Sequence, residues 1–422
     1  MTHANARLLQ LAVCFGALLG CAQLQIPLHN TEVSTKTAQP QELGSGVIRE
    51  DGEEGENSQW LLKRASALLR SEKSSRETCT QRSFIWLGAV CDGMSREEGV
   101  QPSQDVCETR IGIAESFDSG QPGDQEVFLL STRDGACLEL GRLPSRGDHF
   151  RLSRDKTRIV AAYRNAVSLI DLPSLQLRKK LERLSSDIQS LDLSPVDDIA
   201  LIGGGDGRIY RWRWKEEYHP SEPATGRFDL ERYFSHSSVV SAVRFHPSGR
   251  IFFSGDWSGN VVAVLGYEQD AHGGRYDKNI FGTGFFTDAT RTEKIQQGRN
   301  GRIEDLVASH DGKLLFVSEG SGAVTVWQLR GLSQVARFAP HRGMIKSLAI
   351  SPQVRRIATY GRDQRVVITE LQSRFDSALG KTMYRSNTVQ EWVVPGVQVL
   401  TFIDESTLLV GTAKGLQALT VD

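Results

Sequence analysis

The sequence predicts an all-β chain of seven repeated units, each forming one four-stranded sheet. Two observations carry that prediction. Apolar stretches recur in a fixed order, broken by paired turn signals. Glycine is abundant without a matching excess of proline, with 40 glycines and 13 prolines in 422 residues. Glycine supplies tight turns at no steric cost, whereas a long linker would be rich in both.

Four units show the pattern most fully. The first runs Ile188–Leu193, a Ser194-Pro195 turn, Ile199–Ile202, a turn at Asp206-Gly207, then Ile209–Trp212. The second runs Val240–Phe245, His246-Pro247, Ile251–Phe253, Gly259, then Val261–Val264. The third has Ile303, Leu306, Ser309–Gly312, Leu314–Val317, Gly322 and Val324–Trp327. The fourth has Ile345, Leu348, Ile350, Ser351-Pro352, Ile357, Asp363 and Val366–Thr369. From turn anchor to glycine slot the gap is 13 positions in each: Ser194 to Gly207, His246 to Gly259, Ser309 to Gly322, Ser351 to Gln364.

Weaker copies flank these. Phe150, Leu152, Ser153 and Ala166 keep the gap, and Val397, Leu400, Phe402, Ile403 and Gly415 shorten it by one. Upstream, Pro122 and Gly135 enclose Val127–Leu130, followed by Ala136–Leu140. Each unit gives three strands, and its spacer has room for a fourth. One such sheet cannot bury its faces alone. Radial stacking buries them, which makes residues 79–422 a seven-bladed β-propeller.

The units resemble WD repeats. His236 stands four residues before Val240 and His341 four before Ile345, as the WD-repeat histidine does. Asp206 and Asp363 fill the turn-aspartate slot, and Trp212 and Trp327 the terminal tryptophan slot. No unit keeps all three, so the resemblance implies incomplete His–Asp–Trp networks. The chain ends on Leu416–Val421, the third strand of the last unit, so Ser83–Val90 is expected to supply its fourth strand and close the ring.

The N-terminus predicts an address. Residues 1–20 have one charge, Arg7, and an apolar run from Leu8 to Leu19. That run is shorter than the roughly 20 apolar residues of a membrane-spanning helix and reads as a signal peptide. Leu18-Leu19-Gly20-Cys21 resembles the lipobox of bacterial lipoproteins, which implies lipidation at Cys21 and membrane attachment. Ala22 follows in place of the aspartate that retains such lipoproteins at the inner membrane, so the outer membrane is expected, facing the periplasm or the cell surface. Residues 21–58 are polar and acidic and read as a flexible tether. Residues 59–78 read as a short amphipathic helix and linker, with Leu61, Ala65, Leu68 and Leu69 at helical spacing. Cys79, Cys91, Cys107 and Cys137 remain after the signal and lipid site. In an oxidising compartment they predict one or two disulfides of open connectivity.

Charge excludes one class of function. Lys+Arg is 50 and Asp+Glu is 51, a net charge of −1, which lacks the basic excess of a nucleic-acid binder. No G-x-S-x-G elbow, H-E-x-x-H helix or Walker loop is present. Gly203–Gly207 is a strand-to-strand turn rather than a helix-opening phosphate cradle. Asp270 and His272 are too few for a metal site. No cofactor and no metal are expected, and the chain is expected to be a monomer by itself.

Two candidate binding regions follow. In WD-repeat proteins the second turn of each unit lies on the top face near the central channel. Two positions before the glycine slot stand Arg133, Arg164, Gly205, Trp257, Gly320, Arg362 and Ala413. Arg133, Arg164, Trp257 and Arg362 are residue types enriched at interface hot spots. The second region is an insertion, 266–302, with Tyr267, Tyr276, Phe281, Phe285 and Phe286; a charged, aromatic one spans 215–237. These features predict a non-enzymatic, lipid-anchored scaffold for envelope proteins, with an envelope assembly complex as one setting. The alternatives are a glycan-binding propeller using the 266–302 aromatics, or a lactonase-like or quinone-dependent dehydrogenase-like propeller enzyme.

Overall fold

The computed structural model describes residues 82–89, 109–115, 124–131, 137–214, 229–265, 291–296, 298, 301–377 and 381–422. The expected signal (1–20), tether (21–58) and helix with linker (59–78) lie outside them, as do Cys21, Cys79, Cys91, Cys107, Arg133, Tyr267, Tyr276, Phe281, Phe285 and Phe286.

The strands form a seven-bladed propeller of antiparallel sheets. Blade 1 is β1 (Phe84–Ala89), β2 (Thr109–Glu115), β3 (Gln125–Ser131) and β4 (Cys137–Arg142). Blade 2 is β5 (His149–Leu152), β6 (Arg158–Tyr163), β7 (Ala166–Asp171) and β8 (Leu177–Leu181). Blade 3 is β9 (Ile188–Leu193), β10 (Ile199–Gly204), β11 (Arg208–Arg213) and β12 (Asp229–Ser235). Blade 4 is β13 (Val240–Phe245), β14 (Ile251–Asp256), β15 (Val261–Leu265) and β16 (Arg291–Gln296). Blade 5 is β17 (Ile303–Ala308), β18 (Leu314–Glu319), β19 (Val324–Gln328) and β20 (Ser333–Phe338). Blade 6 is β21 (Ile345–Ile350), β22 (Arg356–Gly361), β23 (Arg365–Asp376) and β24 (Lys381–Val393). Blade 7 has three strands among the described residues, β25 (Val397–Phe402), β26 (Thr407–Thr412) and β27 (Gly415–Thr420).

The second strand of each blade carries a short apolar run because both of its faces are covered. Phe252 and Phe253 are adjacent in β14 and both are 0% exposed. Phe252 packs with Val240, Phe245 and blade 3, whereas Phe253 packs with Leu306, Leu315 and blade 5. A strand buried on two sides loses the alternation of a half-buried one and reads as a short apolar run. The recurrent serine has an equally local cause. Ser153, Ser194, Ser309 and Ser351 are buried. Their hydroxyls accept the backbone N–H of Arg158, Asp197, Leu314 and Arg356 at 3.0, 3.1, 2.9 and 3.0 Å, which satisfies the turn between first and second strands. Blade 4 has His246 in that place. Its Nδ1 accepts the Ser248 N–H at 3.1 Å, and its Nε2–H donates to the Gly312 carbonyl of blade 5 at 3.0 Å.

Ring closure differs from the expectation. The repeat count places Ser83–Val90 in the last blade, but β1 pairs with β2, Phe84 opposite Ala114 and Ala89 opposite Arg110. It is the innermost strand of blade 1. The first strands β1, β5, β9, β13, β17, β21 and β25 each touch the next, and β25 touches β1. The seam is closed by packing: Phe84, Phe128 and Leu130 meet Leu409 and Leu416, and Ser83 Oγ donates to Gln398 Oε1 at 3.0 Å. Thr109–Glu115 is the strand that the repeat pattern did not isolate, since its turn signals lie far from it in sequence. Val127–Leu130 is consequently the third strand of its blade, not the second. Cys137, at the start of β4, is buried and disulfide-bonded to a cysteine outside the described residues.

The innermost strands also carry a charged belt. Arg151 of β5 donates to Asp192 of β9 at 2.9 Å. Arg244 of β13 reaches Asp192 at 3.3 Å and Asp305 of β17 at 3.0 Å. Asp192 also accepts the Phe245 N–H at 2.8 Å. Four successive blades are thus tied at the hub by alternating charges.

Candidate protein-binding face

The turn between second and third strands sets the site. Its residue two before the glycine slot donates its N–H to the residue that precedes the first strand of the same blade. Gly205 bonds Asp187 O at 2.9 Å, Trp257 bonds Val239 O at 3.0 Å, Gly320 bonds Arg302 O at 2.7 Å and Arg362 bonds Met344 O at 2.9 Å. Each turn is therefore held at the mouth of the ring, beside the start of an innermost strand. The glycine slot has a positive φ: Gly207 +80°, Gly259 +84° and Gly322 +88°. A Cβ on Gly322 would lie 2.3 Å from the His341 carbonyl, so glycine lets the next loop pass close over the turn.

The described members of the predicted column occupy these turns, but they do not form one cluster. Arg164 is exposed at φ +50°, its guanidinium 5.4 Å from the Tyr163 ring, with Arg146 5.2 Å from the same ring. Arg362 is exposed in blade 6. Arg133 is corrected out of the column: it falls between β3 and β4, whereas the equivalent turn of blade 1 joins β2 to β3 at the other end of the sheet.

Trp257 is the best-defined element. It is 42% exposed, and the Arg302 guanidinium lies 4.6 Å from its ring centroid. Arg302 comes from the start of blade 5, pairs with Glu304 at 2.7 Å, and reaches Met344 Sδ of blade 6 at 3.9 Å. An indole, a guanidinium, a carboxylate and a thioether from three blades thus meet at the channel mouth. The sequence reading missed Arg302 and Met344. The available signal was their position, one residue before Ile303 and Ile345.

Beneath this face lie two buried histidine networks. His236 Nδ1–H donates to Asp256 Oδ2 at 2.9 Å, and its Nε2 accepts from Ser254 Oγ at 2.8 Å. His341 does the same with Asp363 at 2.9 Å and Thr359 at 2.9 Å. The carboxylate has two homes in this fold. Asp206 and Asp363 stand one residue before the slot, with Gly204 and Gly361 two residues earlier. Asp256 and Glu319 stand three before it instead, followed by Ser258 and Ser321. A Cβ on Gly361 would lie 2.5 Å from His341 Nδ1 and 2.8 Å from Asp363 Oδ1, so the glycine makes room for the pair. In blade 3 Asp206 has no histidine and instead accepts from Tyr210 Oη at 2.8 Å. Among the described residues the indole nitrogens of Trp212 and Trp327 have no hydrogen-bond partner, so neither network extends there to a tryptophan.

These histidines predict a pH dependence. Burial lowers the pKa of His236, His246 and His341 below the usual 6.5. The unfolded chain then binds more protons than the folded one below that value. Stability is full above about pH 6.5 and falls as acid forces the buried rings to protonate. Thermal melts at pH 7.5 and 5.5 are expected to show a lower Tm at 5.5, with a shallower slope in His236→Gln/His341→Gln. A Tm that rises on acidification over this range contradicts the assignment.

Among the described residues no group of three or more His, Cys, Asp or Glu is placed to hold a metal ion. Residues 229–262 match the family model described as WD domain, G-beta repeat. That stretch of the ring is similar to a WD repeat. The matched stretch contains His236, Ser254 and Asp256, the complete buried network. The chain is similar to Protein HIR1 of Chaetomium globosum, 26% identical over 195 residues, 46% of this chain and 18% of that protein. Protein hir1 of Schizosaccharomyces pombe is 24% identical over 201 residues, 46% of this chain and 21% of that one. Transducin beta-like protein 3 of Mus musculus is 26% identical over 211 residues, 49% and 22%. The chain spans about a fifth of the length of these relatives. A chain in a crystal structure of a mitotic checkpoint complex matches with TM-score 0.50 and 14% identity, over 74% of this chain and 86% of that chain, which shows the fold alone. WD-repeat propellers are typically protein-interaction scaffolds, generally without catalysis.

Proposed function

We propose that this WD-repeat propeller is a lipid-anchored scaffold of a bacterial envelope, binding a partner protein on the face that carries Trp257 and Arg302. The exposed indole stacked by Arg302 carries the reading. Tryptophan and arginine dominate interface hot spots, and here the pair is held in place by neighbouring backbone and Glu304 rather than ordered on binding. An acidic segment with an aromatic or aliphatic side chain fits it: the carboxylate faces Arg302 and the apolar group covers Trp257. Attachment through Cys21 rests on the lipobox-like Leu18–Cys21, and the Cys137 disulfide suits an oxidising compartment.

A photo-crosslinker at Ser258, beside Trp257, identifies the partner in intact cells. Trp257→Ala/Arg302→Ala is then expected to weaken that partner by about thirtyfold or more, with an unchanged melting curve. Equal affinity for variant and parent removes the site from this face. In the same cells Cys21→Ser is expected to move the protein from the membrane to the soluble fraction, and an unmoved variant removes the anchor.

A further inference from the structure

Among the described residues, blade 6 carries a feature with no counterpart in the other blades. Its third and fourth strands, β23 and β24, are 12 and 13 residues long, where the other third and fourth strands have 5–7. The second strand β22 stops covering β23 at Glu370, which pairs with Arg356. Leu371 still donates its N–H to Arg355 O at 2.7 Å, and beyond it Gln372–Asp376 pairs only with Lys381–Arg385. A two-stranded ribbon of five residues per strand therefore extends past the blade by roughly 17 Å, at about 3.3 Å per residue. It leaves from the end of the sheet opposite the Arg362 turn, so it projects on the side away from Trp257.

Just inside its outermost described pair, Asp376 opposite Lys381, the ribbon exposes one large apolar side chain on each face. Residues directly opposite in an antiparallel pair share a face, and neighbours along a strand alternate. Phe375 pairs with Thr382, and Met383 with Arg374, so Phe375 and Met383 point to opposite sides. Near the root, Phe375's face is covered, since Leu371 is buried and Tyr384 packs against the same blade 5 cluster. Toward the tip no described residue covers it: Phe375 is 65% exposed, and Met383 on the other side is 51% exposed. Arg374 and Arg385 lie on Met383's face, both exposed, with no ion pair among the described residues. The stretch Arg374–Arg385 reads RFDSALGKTMYR, with three cations and one acid.

We propose that this ribbon inserts its tip into an anionic membrane surface. A protein groove covers one face of a strand pair, and its occupant concentrates apolar side chains there. Apolar side chains on both faces of a projecting tip suit a fluid medium that surrounds the tip. Arg385, two residues back from Met383, and Arg374, level with it, then reach the headgroups with their long side chains while Phe375 and Met383 meet the acyl boundary. The excess of cations over acids in the stretch complements an anionic lipid rather than a zwitterionic one. The membrane contact is independent of the Trp257 face and of the Cys21 anchor.

The test uses the full chain with Cys21→Ser as parent, so that lipidation plays no part. Its co-flotation is measured with vesicles of phosphatidylcholine alone and with added phosphatidylglycerol. The parent is expected to bind the anionic vesicles more tightly, with binding that weakens in salt. Phe375→Ser/Met383→Ser is expected to lower the partition coefficient about tenfold or more, and Arg374→Gln or Arg385→Gln about fivefold each. All four side chains are exposed, so melting curves should match the parent's. Phe375→Trp reads the depth independently: brominated lipid should quench its added emission. Equal binding of the parent and the apolar double variant overturns the proposal. So does added emission that stays unquenched when the Phe375→Trp variant is bound. A photo-crosslinker at position 375 that yields a protein adduct in cells, without lipid adducts, also overturns it and makes the ribbon a protein contact.

Discussion

Deleting residues 84–89 is expected to abolish cooperative unfolding, and Phe84→Ala alone to cost about 3–5 kcal/mol. The strand β1 is the innermost strand of its sheet and also half of the seam with blade 7. Phe84 is 0% exposed and lies 5.7 Å from Phe128, edge to face. A Cβ on Gly112 would lie 2.4 Å from the Phe84 ring, so the ring fills its space fully. Truncation leaves a cavity between two blades that have no covalent link near it, and the loss includes the packing of Leu409 and Leu416. Denaturant titration of Phe84→Ala should show a lower midpoint with a similar slope. A variant as stable as the parent shows that β1 does not hold the seam.

Asp192→Ala is expected to cost about 3–4 kcal/mol, the lower part of the range for breaking a buried pair, because its partners are partly exposed. Asp192 accepts from two arginines and one backbone N–H. Burial, and after it the neighbouring Arg244, press the Arg151 pKa down, and Asp192 opposes both. Burial also works against the Arg244 charge, but Asp192 and then Asp305 outweigh it and leave that pKa raised. Without the carboxylate, two guanidinium groups face each other at the hub with one acid left between four blades. Asp192→Asn keeps an acceptor for Phe245 and should lose less. If alanine and asparagine are equally mild by chemical denaturation, the belt contributes nothing to stability.

Much of the fold was legible because its signals are local. The buried serines, the positive-φ glycines and the doubly covered second strands are each determined within a few residues, and they repeat. The strand order of blade 1 was not legible. Phe84–Ala89 and Thr109–Glu115 are far apart in sequence, and an apolar run does not say whether it is a first or a fourth strand. The candidate site was legible where it depends on a turn position, as for Trp257, Arg164 and Arg362. It was not legible where a side chain crosses from another blade. Arg302 and Met344 reach Trp257's turn only through tertiary packing. The His236 network was half legible, since the histidine stands at its expected spacing while Asp256 sits two positions earlier than the aspartates of blades 3 and 6.

The seam has a topological consequence. The described strands of every blade come from one continuous stretch of chain, and no described strand is exchanged between the first and last sheets. Among the described residues the boundary between blades 7 and 1 is then closed by packing, as the other six are. Cutting the chain in the loop between β12 and β13, and joining Asp422, beside the β25–β26 turn, to Arg82, at the start of β25, through a linker long enough to run the height of blade 7, would split no described sheet. The order in which the blades are threaded becomes a property of the chain, while the ring itself has no preferred beginning.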